Sequence, residues 1–147
     1  MLTIVMGPSC AGKSTYINNN FDESIKTFDI FDYQQRPLFS VDDVFETYKE
    51  CSKHLCQALK EDPSQHYVLE HTLLKRIRRE WYLENIRKVY DGPIEIICLK
   101  PSVDTLNRNY MKRFCTSDTD SKLNGSLDVL ELPTMDEGYD KVTIIEV

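Results

Sequence analysis

The sequence lacks a long hydrophobic run, a paired-cysteine pattern and an excess of positive charge. No apolar run approaches the roughly 18 residues that cross a membrane, and the first begins at Leu2, which leaves no room for a signal or transit peptide. The five cysteines show neither Cys-x-x-Cys nor Cys/His ligand spacing, so we expect reduced thiols in a cytoplasmic protein. The net charge of −6 argues against long nucleic acid as a partner.

The order of apolar runs and helical patterns predicts an α/β fold with a parallel sheet that is covered on both faces. The chain of 147 residues, 41% apolar and 29% charged, fits one soluble domain. Five strands are predicted, at residues 2–6, 25–30, 67–70, 94–99 and 141–147. Four helices are predicted, at residues 13–20, 41–60 (with Ser40 as the N-cap), 74–90 and 103–114. The polar stretch 116–133 predicts a mobile loop.

One segment has the full pattern of a phosphate-binding loop. The residues Gly7-Pro8-Ser9-Cys10-Ala11-Gly12-Lys13-Ser14 follow the first predicted strand, and Thr15 continues into the first predicted helix. The two glycines let the backbone wrap a phosphate, toward which N–H groups and the positive end of the helix point. Lys13 supplies charge to the β- and γ-phosphates, and Ser14 supplies a hydroxyl for the Mg²⁺ ion that bridges them. The segment predicts that residues 7–15 bind a nucleoside triphosphate.

Carboxylates follow the second and third predicted strands, where doubly wound sheets bind ligands. Asp32, with Asp29 as the alternative, is a candidate base for a hydroxyl that attacks the γ-phosphate. The other interpretation is that both aspartates form turns or caps. Glu70 ends the third strand and is a candidate for organising Mg²⁺ or substrate, or for steering an arginine. His71 and Thr72 follow it as candidate substrate contacts.

Basic residues form two groups. The run Lys75-Arg76-Ile77-Arg78-Arg79 opens the third predicted helix, and a solvated helix face is its default interpretation. Near a strand end one arginine, Arg79 in our prediction, can also clamp an anionic substrate. Arg108, Lys112 and Arg113 lie on the fourth predicted helix and, with the polar stretch, predict a lid over about residues 108–133 that closes on the triphosphate. The alternative is a solvated helix followed by a flexible connection.

These features together resemble small P-loop kinases of the polynucleotide kinase-like group, which is similar to zeta toxins and chloramphenicol phosphotransferase. The resemblance covers essentially the whole chain. Besides the P-loop, it rests on Asp32-Tyr33, Glu70-His71-Thr72, Arg108-Asn109, Pro133 and Glu137-Gly138-Tyr139-Asp140. It implies that Asp32 is the general base and that Arg108 contacts the donor phosphates.

The chain departs from this pattern at three places. Gln34 stands where the group has an arginine for the substrate's phosphate, and Arg36 lies two residues further on. Lys112 replaces the second lid arginine unless Arg113 does that work. Asp42-Asp43 offers a second pair of aspartates, although its helical context favours capping of the second helix.

The patterns and the resemblance predict a three-layer α/β/α P-loop NTPase fold, with a five-stranded parallel sheet in the order 2-3-1-4-5 and a single domain over residues 1–147. The expected activity is transfer of the γ-phosphoryl group of ATP, with Mg²⁺, to a hydroxyl of a nucleotide, a nucleic-acid 5′ end or a small molecule. The sequence has no Asn-Lys-x-Asp motif, which argues against GTP. The alternative is a regulatory P-loop protein that binds or hydrolyses ATP without phosphorylating an acceptor.

Overall fold

The apolar runs form the strands of a parallel sheet. The computed structural model describes residues 1–34, 41–114 and 122–147. Its strands are β1 (Leu2–Met6), β2 (Lys26–Asp29), β3 (Tyr67–His71), β4 (Ile94–Lys100) and β5 (Lys141–Glu146). Its helices are α1 (Lys13–Asn20), α2 (Val41–Glu61), α3 (Arg76–Arg87), α4 (Val103–Phe114) and α5 (Lys122–Asp128), and 3₁₀ turns lie at Ile30–Tyr33 and Met135–Glu137.

The strand order is β2-β3-β1-β4-β5, with every neighbouring pair parallel, as the sequence predicts. The central strand β1 pairs with β3 on one side and β4 on the other, and all five of its residues are buried. The register aligns Glu70 with Val5 on one side and with Asp29 on the other. The carboxyl ends of β1, β2 and β3 therefore lie side by side at one end of the sheet.

The core has two faces because successive side chains of a strand point to opposite sides of the sheet. On one face, Ile4 and Leu69 belong to the large cluster that includes Leu55 of α2 and Tyr82 of α3. On the other face, Val5 and Val68 pack with Ile17 of α1. This division gives the predicted layers of helix, sheet and helix.

The third helix is shorter than the predicted span 74–90. It begins at Arg76 because Lys75 has an extended backbone, with φ −103° and ψ 139°, and serves as the N-cap. The carbonyl oxygens of Leu73 and Leu74 accept hydrogen bonds from Arg79 Nη1 at 2.9 and 3.4 Å instead of from a helix ladder. At the other end the residues after Arg87 continue as a turn, in which the Val89 amide donates to Ile86 at 3.1 Å.

The prediction of a loop over 116–133 is wrong for residues 122–128, which form α5. The stretch is mostly polar, so its few apolar residues did not form a helical pattern in the sequence. Leu127 is half-buried, Leu130 packs against the main core cluster, and the Glu131 amide donates to the Leu74 carbonyl at 2.8 Å. Residues 116–121 of the predicted loop lie outside the described residues. The predicted N-cap Ser40 lies outside them as well. Among the helices described, none is long and apolar enough to cross a membrane.

Candidate active site

The P-loop runs from the buried end of β1 to the start of α1. Gly7 lies so close to β4 that a Cβ atom at this position would stand 2.7 Å from the Leu99 carbonyl oxygen, so only glycine fits without movement. Gly12, with φ 92°, adopts the left-handed conformation that glycine favours immediately before the helix. The Gly7 amide donates to the Thr72 carbonyl at 3.3 Å, which links the loop to the residue that follows β3.

Lys13 is buried beneath the loop. Its Nζ donates to the carbonyl oxygens of Gly7 at 3.0 Å and Pro8 at 2.8 Å. Burial lowers the pKa of Lys13 to about 8, against the opposing charges of Glu70 and Asp29, and the nearby charge of Arg113 lowers it further. Lys13 thus lies among two carboxylates and a second cation, in a place where its own charge depends strongly on its surroundings.

Ser14 and Glu70 are joined by a short hydrogen bond, in which the Ser14 Oγ donates to the Glu70 Oε1 at 2.5 Å. Burial raises the pKa of Glu70, the Ser14 hydroxyl opposes that shift, and the neighbouring Asp29 raises it by its charge and by a side-chain hydrogen bond. The two carboxyl groups are brought together by the register of β2 and β3, which pairs Asp29 with Glu70. The Asp29 carboxyl group beside Glu70 thus adds to the effect of burial and disfavours the ionised form of Glu70.

The two candidate bases occupy different places. Asp29 lies at the end of β2 and lines the same cavity as Lys13, Ser14 and Glu70, and its Oδ1 accepts a hydrogen bond from the Phe31 amide at 3.0 Å. Asp32 lies on the exposed side of the 3₁₀ turn and is not among the residues that line this cavity. The structure therefore places Asp29, and not Asp32, beside the P-loop lysine.

The cavity above the P-loop has a volume of 740 Å³. Its floor is formed by residues 9–16 of the loop and α1, and its walls by the ends of β2 and β3 on one side and by α4 on the other. Phe31, whose side chain is 45% exposed, lies in the wall near Asp29. The cavity is large enough for the triphosphate of a nucleotide and extends to both carboxylates.

Helix α4 contributes two of the three predicted cations to the cavity. Lys112 and Arg113 line it, whereas Arg108 is exposed and its Nη2 contacts the Thr105 Oγ1 at 3.4 Å. Sequence reasoning missed Asn109 as a wall residue: its Nδ2 donates to the Cys10 carbonyl oxygen at 2.8 Å. The helical spacing of four residues from Asn109 to Arg113 is the signal that identifies the facing side of α4.

The prediction that Arg79 clamps substrate is wrong. Its side chain is fully enclosed, and Nε and Nη2 donate to Glu137 Oε1 and Oε2 at 2.7 and 3.2 Å. Its remaining contacts hold the turn after β3, as described above. Arg79 therefore fixes this turn to the segment before β5 and does not reach the cavity.

His71 and Thr72 do not line the cavity either. His71 is buried, its ring nitrogen Nε2 lies 3.2 Å from the Tyr82 hydroxyl, and burial lowers its pKa to about 3, so the imidazole is neutral at physiological pH. Thr72 contributes its carbonyl oxygen to the P-loop contact with the Gly7 amide. Both residues support the site from behind.

The fold is that of P-loop kinase-like proteins, as the resemblance implied. A sugar kinase from Janibacter sp. HTCC2649 superposes with a TM-score of 0.70 at 17% identity, over 99% of this chain and 84% of the other. A gluconokinase from Sinorhizobium meliloti 1021 gives 0.68 at 19% identity, over 99% and 81%. The Pnkp1/Rnl/Hen1 RNA repair complex gives 0.71 at 17% identity, over 88% of this chain and 43% of that one.

Sequence comparison gives no closer relative. No model of a known protein family matches the chain, and no curated protein sequence matches it. Identities below one fifth establish the fold and not the activity, so the function has to be argued from the side chains of the site.

Proposed function

We propose that this protein is a kinase that transfers the γ-phosphoryl group of ATP to a hydroxyl group. The observation that carries the proposal is the convergence of Lys13, Ser14, Asp29 and Glu70 on one cavity at the carboxyl ends of three adjacent parallel strands. A P-loop alone would serve a switch or an ATPase equally well. A second carboxylate, on the strand beyond Glu70, is what a hydroxyl acceptor requires.

The donor side consists of the P-loop and α4. The loop amides and the N-terminus of α1 attract the phosphates, Lys13 supplies the buried charge, and Lys112 with Arg113 supply charge from the opposite wall. The negative charge of the γ-phosphoryl oxygens has to be stabilised during transfer, and cations on two sides of the cavity suit that task. We assign the lid role to α4, with Arg113 rather than Arg108 directed at the phosphates.

Ser14 and Glu70 fit an Mg²⁺ ion. Their oxygens lie 2.5 Å apart at the P-loop, and a hydroxyl with a carboxylate is the hard oxygen donor set that this ion prefers, directly or through water. When bound, the ion would neutralise charge on the β- and γ-phosphates. Glu70 must be ionised for this purpose; burial and Asp29 raise its pKa, and the Ser14 hydroxyl and the charge of Lys13 counter that rise.

Asp29 is the base that the geometry favours. The acceptor oxygen forms a bond to the γ-phosphorus as the bond from that phosphorus to the β–γ bridging oxygen breaks, ADP leaves, and the hydroxyl proton passes to the Asp29 carboxylate. The Phe31 amide holds one oxygen of Asp29, at 3.0 Å, and the other oxygen can face the acceptor. Asp32 is the alternative base from the sequence and differs from Asp29 in lying outside the cavity wall.

The test is label transfer from γ-labelled ATP to a panel of nucleosides, oligonucleotides with a free 5′ hydroxyl, sugars and amino-sugars, with the Asp29→Asn and Asp32→Asn variants compared. Asparagine at position 29 keeps the acceptor for the Phe31 amide, and position 32 is exposed, so both variants should fold. We expect Asp29→Asn to retain Mg-ATP binding and lose about a hundredfold or more in transfer, the usual scale for a positioned base. A large loss in Asp32→Asn alone would move the base to Asp32.

Tight Mg-ATP binding with no transfer to any acceptor would contradict the kinase proposal. It would instead identify the regulatory alternative, a protein that binds or hydrolyses ATP without an acceptor. Label transfer separates the cases, and calorimetry of the same two variants is the control, because a kinase and a switch should both bind nucleotide normally without either carboxylate.

A further inference from the structure

Arg78 is an arginine whose guanidinium is positioned by aromatic rings and paired with no carboxylate. Its Cζ lies 5.7 Å from the Phe45 ring centroid and 5.8 Å from that of Tyr48. The side chain is half-buried, and within residues 1–34, 41–114 and 122–147 it has no hydrogen bond and no ion pair. The two rings thus fix the orientation of the guanidinium group, whose five N–H donors have no acceptor among the described residues.

The other arginines of the same helix are all engaged. Arg76 pairs with Glu80 and Asp136, Arg79 with Glu137, and Arg87 with the Gly92 carbonyl and Asp140. Lys49, which also lies over the Phe45 ring, at 5.2 Å, is paired with Glu46 at 3.3 Å. The free guanidinium of Arg78 is therefore a particular feature of this position and not a general property of the basic run that opens α3.

Arg78 lies next to the acceptor side of the site. Arg78 lies in the first turn of α3, which follows the carboxyl end of β3, and the Tyr48 ring that it contacts is 4.6 Å from the ring of His71, the last residue of that strand. Helix α2, which carries both rings, also packs against the 3₁₀ turn that follows Asp29. The cation thus lies at the carboxyl end of the sheet on the side of β2 and β3, outside the residues that line the cavity.

A phosphate or carboxylate is the natural partner for such a group. A planar guanidinium binds these anions through two parallel N–H donors, and stacking on aromatic rings fixes the plane before the ligand arrives. A purely structural stack does not account for the position at the carboxyl end of β3 or for the absence of a carboxylate partner in the described part of the chain. Asp29 and Glu70 alone would repel an anionic acceptor, so a cation here has a defined task.

We propose that Arg78 binds an anionic group that the acceptor carries beside its reactive hydroxyl. This inference rests on the proposed kinase function and narrows its acceptor to hydroxyl compounds with a neighbouring phosphate or carboxylate. The sequence places the substrate-binding arginine one residue further along, at Arg79. In the helix this single step turns the side chain from the buried face to the side where Phe45 and Tyr48 of α2 lie.

The experiment compares matched acceptors that differ by one anionic group: adenosine with adenosine 3′-monophosphate, and glucose with gluconate. Trp81, the single tryptophan of the sequence, lies 5.6 Å from the Phe45 ring and reports binding by its fluorescence. Titrations are made with Mg²⁺ and a non-hydrolysable ATP analogue at saturation, so that no probe enters the donor site. Label transfer from ATP is measured in parallel on the wild-type protein, Arg78→Gln, Arg78→Lys and the control Lys75→Gln.

For at least one pair we expect the wild-type protein to bind the anionic member more tightly. Arg78→Gln should weaken that binding by about ten- to a hundredfold, the scale of a charge-assisted hydrogen bond, and leave the KM for ATP and the neutral member unchanged. Arg78→Lys should recover part of the loss. Lys75 is exposed on the same turn, and Lys75→Gln should bind as the wild-type protein does.

Equal affinity for both members of each pair would overturn the inference. Equal weakening by Arg78→Gln and Lys75→Gln would do so as well, since it would show only general attraction by positive charge. The pair that shows the contrast identifies the anion as phosphate or carboxylate. An Arg78-dependent contrast without label transfer would leave Arg78 as an anion-binding residue and overturn the proposed kinase function, so the two failures are distinguishable.

Discussion

The buried position of Lys13 makes the affinity for Mg-ATP depend on pH in a defined direction. The ammonium group is needed for the phosphates, yet burial lowers its pKa to about 8 in the free protein. A bound triphosphate should raise that pKa to its ordinary value of about 10.5 or above, because it places several negative charges beside the amine. Binding therefore takes up a proton, and affinity falls as pH rises through 8.

The magnitude follows from proton linkage. With these two pKa values the dissociation constant at pH 9 should be about tenfold that at pH 7, and uptake should be about half a proton at pH 8 and nearly one at pH 9. Calorimetry in two buffers of different ionisation enthalpy measures both quantities. Lys13→Arg keeps its charge throughout and should show neither effect, and Cys10→Ser removes the thiol that lines the same cavity. A constant affinity from pH 7 to 9.5 without proton uptake would refute the reasoning.

Three further changes test other parts of the structure. Glu137→Gln leaves the enclosed Arg79 charge without its partner and should lower the free energy of unfolding by about 3–5 kcal/mol in urea denaturation. Arg113→Ala should lower kcat at saturating ATP at least about tenfold, and more than Arg108→Ala does, because only Arg113 lines the cavity; equal effects would contradict the lid assignment. Gly7→Ala should abolish Mg-ATP binding, measured by calorimetry on the folded variant, because its Cβ would stand 2.7 Å from a β4 carbonyl oxygen; unchanged binding would show that the loop tolerates the shift.

The sequence predicts those parts of the molecule that depend on patterns of consecutive residues. The P-loop is one such pattern, and the strand order follows from it together with the alternation of strands and helices. Asp29 and Glu70 are also predicted, because each ends a recognisable strand. Local patterns suffice for these residues since their neighbours in the fold are fixed by the parallel register.

The local sequence does not decide between candidate site residues that lie close together in the chain. Arg78 and Arg79 differ by one helical step, and what decides between them is Glu137, which lies 58 residues away in the chain and encloses Arg79. Asp29 and Asp32 are likewise separated by the 3₁₀ turn, which directs the second one to the exterior. Helix α5 was missed because the burial of its few apolar residues depends on partners elsewhere in the chain.

The positions of the strands in the sheet give the two halves of the site, the nucleotide half on β1 and the acceptor half on β2, different local stability. The P-loop extends from β1, which is paired on both sides and wholly buried, whereas Asp29 ends β2, a four-residue edge strand that is paired on one side and partly exposed. An edge strand opens locally at a lower free energy than a central one does. Mild heating or denaturant should therefore disable the acceptor half first, so that a partly unfolded protein still retains nucleotide but no longer turns it over.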